Sequence, residues 1–315
     1  FGNSSFVVSI PKQWMAKNKF EKGQVVYISE NGNNELILSP SEKSNVMEEK
    51  SININIDKKK LSLIRREIFG AYLNNYTTIN LIGKELRTKA KDIRDSVQNL
   101  MALEVMEQTS DKIITRDFLN MQEVSVPDLI RKMDVVTRSI FYDLSLSFEE
   151  DNSADILDRD KNVNKFYFLI VRAIRKELSS PGTLKKGEIA PIYLFDTWHV
   201  AYQIESIADA LKRVASLMNS TTLKETEKRN IVNVVKQIGE FYNNALKSYY
   251  KKDNEYTMSI SNERDKIIKE CQKYYNNKSE NIVKILAHLE TITYKIHEIL
   301  RRMYQEECIR NSLKQ

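Results

Sequence analysis

Val200-Ala201-Tyr202-Gln203-Ile204-Glu205-Ser206-Ile207-Ala208-Asp209-Ala210-Leu211-Lys212-Arg213-Val214-Ala215-Ser216-Leu217-Met218 is the stretch whose reading decides the fold. Its apolar residues Val200, Ile204, Ile207, Leu211, Val214 and Met218 fall four, three, four, three and four apart. That rhythm is the a/d seam of a left-handed helical bundle. Ile285, Leu289, Ile292, Ile296, Ile299 and Met303 repeat the same spacing. When the two seams are overlaid, Glu205 falls on Glu290 and Asp209 on Tyr294. A self-similar pattern at this separation predicts a duplicated helical unit.

Working outward, six helical patterns are predicted at 126–149, 154–179, 191–219, 222–251, 257–277 and 280–310. Ser180-Pro181-Gly182 and Asn219-Ser220-Thr221 break the chain between them. Six helices of this length suit two three-helix bundles, at 122–220 and 221–315. Only eight Gly and five Pro punctuate the chain, and most fall before residue 60 or near 180–191. The predicted class is therefore mainly α with a β-rich N-terminus.

Glu205-Ser206-Ile207-Ala208-Asp209, set in a duplicated three-helix pattern, resembles the Glu-x-x-x-Asp motif of PhoU proteins. The second helix adds Asp160, followed four residues later by Asn164, ahead of Lys165-Phe166-Tyr167-Phe168-Leu169-Ile170-Val171-Arg172. The resemblance covers about residues 120–310. It implies two tandem three-helix bundles and a link to phosphate uptake through a phosphate transporter or a signalling protein. It also implies a divalent or trivalent metal ion held by Glu205, Asp209 and Asp160. The residues themselves allow two readings. Carboxylates four apart share one helical face and can offer oxygen ligands to a hard cation. Asp209 also precedes Lys212 by three and Arg213 by four, the spacing of an ordinary helical ion pair. In the second unit Glu290 stands with Tyr294, a neutral phenol, so a metal is expected at the first unit before the second. His288 and His297 are nine apart, on different faces, and are not expected to act as a ligand pair.

The first forty residues read differently. Phe6, Val8 and Ile10 alternate as in a strand, and Pro11 opens a short helix over Lys12–Lys17. Gly23 permits a turn, and Gln24–Ile28 reads as a second strand. Asn31-Gly32 predicts a hairpin turn into Glu35–Leu38, closed by Pro40. A unit this small cannot bury a stable core alone. Gly2-Asn3-Ser4-Ser5-Phe6-Val7-Val8-Ser9-Ile10-Pro11-Lys12, Lys22-Gly23-Gln24-Val25-Val26-Tyr27-Ile28 and Glu35-Leu36-Ile37-Leu38-Ser39-Pro40 resemble the AbrB/SpoVT/MazE swapped-hairpin family. The resemblance, over residues 1–41, implies two chains interlocked into one barrel, a homodimer that presents basic residues to DNA. It makes Ser4, Ser5, Lys12, Lys17, Lys19 and Lys22 the expected DNA-facing residues. On charge alone, the four lysines cluster with only Glu21 among them and could reach phosphates.

Residues 42–50 are polar and read as a linker. Beyond them, 51–121 reads as a small α/β connector. Its strands are predicted at Ser51–Ile56, Thr77–Ile82, Glu104–Thr109 and Lys112–Phe118, and its helices at Lys58–Asn74 and Lys84–Leu103. It contains neither a glycine loop for phosphates nor the spacing of a catalytic triad.

With 315 residues, 41% hydrophobic and 29% charged, the chain is long enough for several domains and a sizeable core. A net charge of +6 suits a polyanionic partner without establishing one. No apolar run approaches the roughly 20 residues of a membrane span, so no membrane insertion is expected. The start lacks a basic segment followed by a long apolar one, so no signal peptide is expected either. Cys271 and Cys308 do not form a disulfide framework, which favours a cytoplasmic location. An enzyme would need a base and a nucleophile in one pocket, and the sequence supplies neither. The expected function is a dimeric, DNA-binding transcriptional regulator of phosphate homeostasis. The alternative is an interaction protein that docks on a transporter or signalling partner and uses its hairpins only to dimerise.

Overall fold

The hairpin region and the remainder of the chain fold as two compact units, residues 1–49 in the first and 50–179 with 191–315 in the second. The computed structural model describes residues 7–30, 36–40, 50–121, 123–146, 153–179, 191–275 and 279–312.

In the first unit Pro11 fixes the entry to helix α1 (Lys12–Lys17). Gly23 follows with φ +93°, a conformation that other residues rarely adopt. Strand β1 (Tyr27–Glu30) pairs antiparallel with β2 (Leu36–Ser39), Tyr27 opposite Ser39 and Glu30 opposite Leu36. β1 thus starts three residues later than the sequence suggests. Among the described residues, Val7–Ile10 belongs to no strand, although its alternation is that of one. The predicted Asn31-Gly32 turn lies outside the described residues.

The second unit begins with a four-stranded sheet in the order β3-β4-β6-β5, built from β3 (Ser51–Asn55), β4 (Thr78–Ile82), β5 (Leu103–Gln108) and β6 (Lys112–Asp117). β3 and β4 are parallel and joined through α2 (Leu61–Leu73), while β6 runs antiparallel to both β4 and β5. α3 (Leu86–Gln98) connects β4 to β5. Both helices are shorter than predicted. Lys58 takes φ +60° ahead of α2, and Ala102 takes φ +62° in the turn between α3 and β5. Ile54, Ile79, Leu81 and Ile113 are buried on one sheet face, with Ile64, Ile68 and Tyr72 of α2 and Ile93 and Val97 of α3.

The helical part comprises α4 (Val126–Leu146), α5 (Ser153–Ser179), α6 (Pro191–Ser220), α7 (Glu225–Lys251), α8 (Asn254–Ile260), α9 (Glu263–Lys273) and α10 (Glu280–Ser312). α4, α5 and α6 pack on one another as one three-helix bundle. α7, the α8/α9 pair and α10 form the second. The fifth predicted helix is therefore two helices in the structure. Ser261 interrupts it, its hydroxyl donating to the Met258 carbonyl and competing with the helix's own bonding. All twelve residues of the two seams are buried, and α6 and α10, which carry them, make the most extensive helix–helix contact. α4 meets α7 as well, with Phe141 and Tyr242 rings 5.3 Å apart.

The α/β segment, read from sequence as a connector, shares this unit with the bundles. Arg172 of α5 is 1% exposed and pairs with Asp117 at the end of β6. The Arg172 Nε donates to Asn75 Oδ1 at 3.1 Å, and its guanidinium lies 4.2 Å from the centre of the Tyr72 ring. Asn75 Nδ2 returns a bond to the Arg172 carbonyl at 3.1 Å.

Candidate nucleic-acid interface

Six of the first unit's large apolar side chains face solvent. Val7 is 82% exposed, Val25 69%, Leu36 65% and Ile28 57%, with Val8 and Tyr27 also open. No described residue between 7 and 40 is buried. Burying such side chains is worth about 1.5–3 kcal/mol each, so these six leave a substantial hydrophobic driving force unused. The Trp14 and Phe20 rings stack at 5.5 Å and fold α1 back on the turn that follows it.

That stacked pair positions the lysines. Lys12 and Lys17 sit at the two ends of α1, and Lys19 and Lys22 lie in the turn beyond it, all four exposed. Lys19 adopts φ +54°, which turns the chain sharply after Asn18. Asn18 donates from its side chain to the Trp14 carbonyl at 2.8 Å and caps the short helix. Glu21 is exposed in the same turn. The arrangement is a compact run of ammonium groups on a six-residue helix and one turn, suited to contact with phosphates. Ser4 and Ser5, also expected to face DNA, lie outside the described residues.

The acidic constellation in the second unit is brought together only in part as the sequence suggests. Asp160 on α5 and Asp209 on α6 both face Lys212, whose Nζ lies 2.7 Å from Asp160 Oδ2 and 2.7 Å from Asp209 Oδ1. Arg213 holds the other Asp209 oxygen at 2.7 Å, and Asn164 Nδ2 donates to Asp160 at 3.2 Å. Glu205 stands close enough to feel both aspartates. Burial, then Asp209, then Asp160 push its carboxyl above the usual range. For Asp209 burial acts upward, but Lys212 and Arg213 outweigh it and hold the carboxyl low. Burial likewise acts to lower Lys212, while Asp160 and Asp209 leave it raised.

As placed, Asp160 and Asp209 hold the Lys212 ammonium between them. Asp160 Oδ2 and both Asp209 oxygens are bonded to Lys212 or Arg213, whereas a hard divalent ion needs several free anionic oxygens. Among the described residues no group of three or more His, Cys, Asp or Glu side chains is arranged to hold a metal. The Asp209–Arg213 pairing given by helical spacing is present. What spacing alone did not assign is the reach of Lys212 across to α5. Glu205, Asp209 and Lys212 are four and three apart, so a signal for one shared face was present in the sequence. In the second bundle Tyr294 is 50% exposed, and Glu290 faces Tyr275 with one carboxylate oxygen buried and without a hydrogen-bond partner. Burial raises the Glu290 carboxyl, partly offset by Tyr275.

Among the described residues, no helix is long and apolar enough to cross a membrane. Residues 1–45 match the family model described as antidote-toxin recognition MazE, bacterial antitoxin. No curated protein matches the chain.

Proposed function

We propose that the chain is a dimeric DNA-binding regulator in which a MazE-type N-terminal module contacts DNA and the helical body carries the regulatory input. The observation that carries this reading is the set of exposed apolar side chains at Val7, Val8, Val25, Ile28 and Leu36, in a module with no described residue buried. A second copy of the same module is the natural cover, since swapped hairpins supply each other's core. The MazE match over residues 1–45 supports the same conclusion. In such a dimer the lysine runs at Lys12, Lys17, Lys19 and Lys22 are doubled, which suits a duplex backbone.

The regulatory input we assign to phosphate status, acting through a phosphate transporter or a signalling protein. Its support is the duplicated seam on α6 and α10 and the two-bundle packing, the arrangement that the resemblance to PhoU implies. A metal ion forms no part of the proposal, since Lys212 is bonded to two of the three expected ligands, Asp160 and Asp209.

DNA binding measured across a salt series tests the reading. Lys12→Ala with Lys17→Ala should weaken binding at every sequence and flatten the log–log salt slope by about 0.9 for each lost phosphate contact. Unchanged affinity and slope would place any DNA contact elsewhere. A second reading, docking of the bundles on a protein partner with the hairpins only dimerising, is favoured by one feature. Phe195, 47% exposed, Trp198 and Tyr202, 41% exposed, form a row of rings on α6 at spacings of 5.9 Å. Absence of DNA binding in a confirmed dimer would select it.

A further inference from the structure

The two edges of the four-stranded sheet are built differently. On β5 the strand carries Glu104 and Glu107, and its pairing with β6 is irregular between Val105 and Glu107. Charges and a bulge are the devices by which an edge is kept from pairing with another strand. β3, the opposite edge, has none of them. Its sequence Ser51-Ile52-Asn53-Ile54-Asn55 holds no charge and no proline, and its register with β4 is regular throughout.

The backbone of β3 is also poised outward. Thr78 N–H donates to the Lys50 carbonyl at 3.1 Å and Ile56 N–H to the Ile82 carbonyl at 3.0 Å. Even-numbered residues of this strand therefore turn their peptide groups to β4. By the two-residue period of a strand, Ser51, Asn53 and Asn55 turn theirs to the free edge. Among the described residues no strand lies on that side. The order of side chains is symmetric about Asn53, with isoleucine on either side and a small polar residue beyond each. A two-fold interface places residue i against j and j against i, so it demands a self-complementary strand.

We infer that β3 pairs antiparallel with β3 of a second copy of this chain, Asn53 opposite Asn53, joining two sheets into one of eight strands. Ser51 then faces Asn55 of the other copy, and the half-buried Ile52 faces Ile54 and continues the apolar face. Each of the outward pairs exchanges two hydrogen bonds, about six in all. The inference rests on the hairpin dimer proposed above, which supplies proximity. Ten residues, 41–50, separate Pro40 from Ser51, and such a segment spans at most about 33–36 Å. Two edge strands on tethers this short meet at effective concentrations on the order of millimolar. The N-terminal hairpins thus bring together two edges that are too short to associate firmly unaided.

Oxidative cross-linking of the full chain tests this, in a Cys308→Ser background. Facing residues in hydrogen-bonded antiparallel pairs have Cα atoms about 5.5 Å apart, within reach of a disulfide. Asn53→Cys should therefore give a covalent dimer, whereas Glu104→Cys on the guarded edge should remain reduced under the same oxidant. Light scattering on the same samples separates the two layers of the argument. A dimer in which Asn53→Cys fails to link, or links no faster than Glu104→Cys, overturns the β3 pairing and leaves the hairpin dimer standing. A monomer at all concentrations overturns both. As a second variant, Asn53→Pro removes an outward N–H from each copy and no backbone bond to β4, although it also loses the bond that Asn80 donates to the Asn53 side chain at 2.9 Å. It should weaken dimerisation by about tenfold or more with the helical circular-dichroism signal unchanged. An unaltered dimer affinity in that variant counts against the pairing.

Discussion

Ile28 and Ile204 are the same side chain in two regions, 57% exposed on the hairpin and fully buried on α6. The hairpin region turns six large apolar side chains outward to solvent. The helical body turns its own inward, at twelve seam positions and on the face between the sheet and its two helices. The difference teaches where each region's stability comes from. The body buries its own seams, while in the proposed dimer the module's order would depend on assembly and hence on protein concentration.

Deleting residues 1–41 should break this comparison most completely. The shortened chain should become monomeric by light scattering and lose DNA binding, yet retain a cooperative thermal transition, because no seam residue is removed. Loss of that transition would mean the body depends on the module after all. Next in size is Arg172→Ala. It leaves Asp117 buried without its partner and should cost about 3–5 kcal/mol in urea unfolding, against little change in the hairpin's exposed residues. A cost near zero would show that the α/β layer and the helices are not one cooperative unit. Lys212→Met should cost less, about 1–3 kcal/mol, since Asp160 then loses its bond while Asn164 and solvent offset part of the loss.

The smallest effect is in pH dependence. Glu205 has a folded pKa above its ordinary 4.5, so the folded state binds its proton more tightly than the unfolded state. Stability should therefore fall as pH rises from about 4.5 through the raised folded value. Asp209 has the opposite sign. Its folded pKa lies below 3.8, so its contribution is present above that value and is lost as pH falls further. Glu205→Gln should flatten the stability profile above pH 4.5 and leave the more acidic limb in place. An unchanged profile in urea titrations would remove Glu205 from the cluster.

Legibility in the sequence followed the range of the interaction. The seams at 200–218 and 285–303 repeat every turn, and each of their residues is where the period puts it. β3 was likewise readable from alternation, and β5 and β6 as a pair around Ser110-Asp111. The break at Ser261 was missed, because the apolar period continues through Ile260, Ile267 and Ile268 while one hydroxyl diverts the backbone. The Arg172–Asp117 pair was missed for another reason. Nothing in the local pattern of α5 indicates that an arginine will meet the end of a distant strand. Lys212 lay between these cases. Its place beside Asp209 follows from helical spacing, but the approach of Asp160 depends on how α5 packs on α6.

The close packing of α6 on α10 sets a timetable for synthesis. α6 leaves the ribosome well before the helix that covers its seam, because α7, α8 and α9 must be made between them. At roughly 5–20 residues per second, the nascent chain displays an uncovered apolar stripe for several seconds. The hairpins, made before the helices, are by then free to find a neighbour on the same message if they pair as proposed. A protein built in this order is exposed to chaperone capture or mispairing in that interval, and a ribosome stalled before Glu280 would leave the first bundle complete in sequence but open on one side.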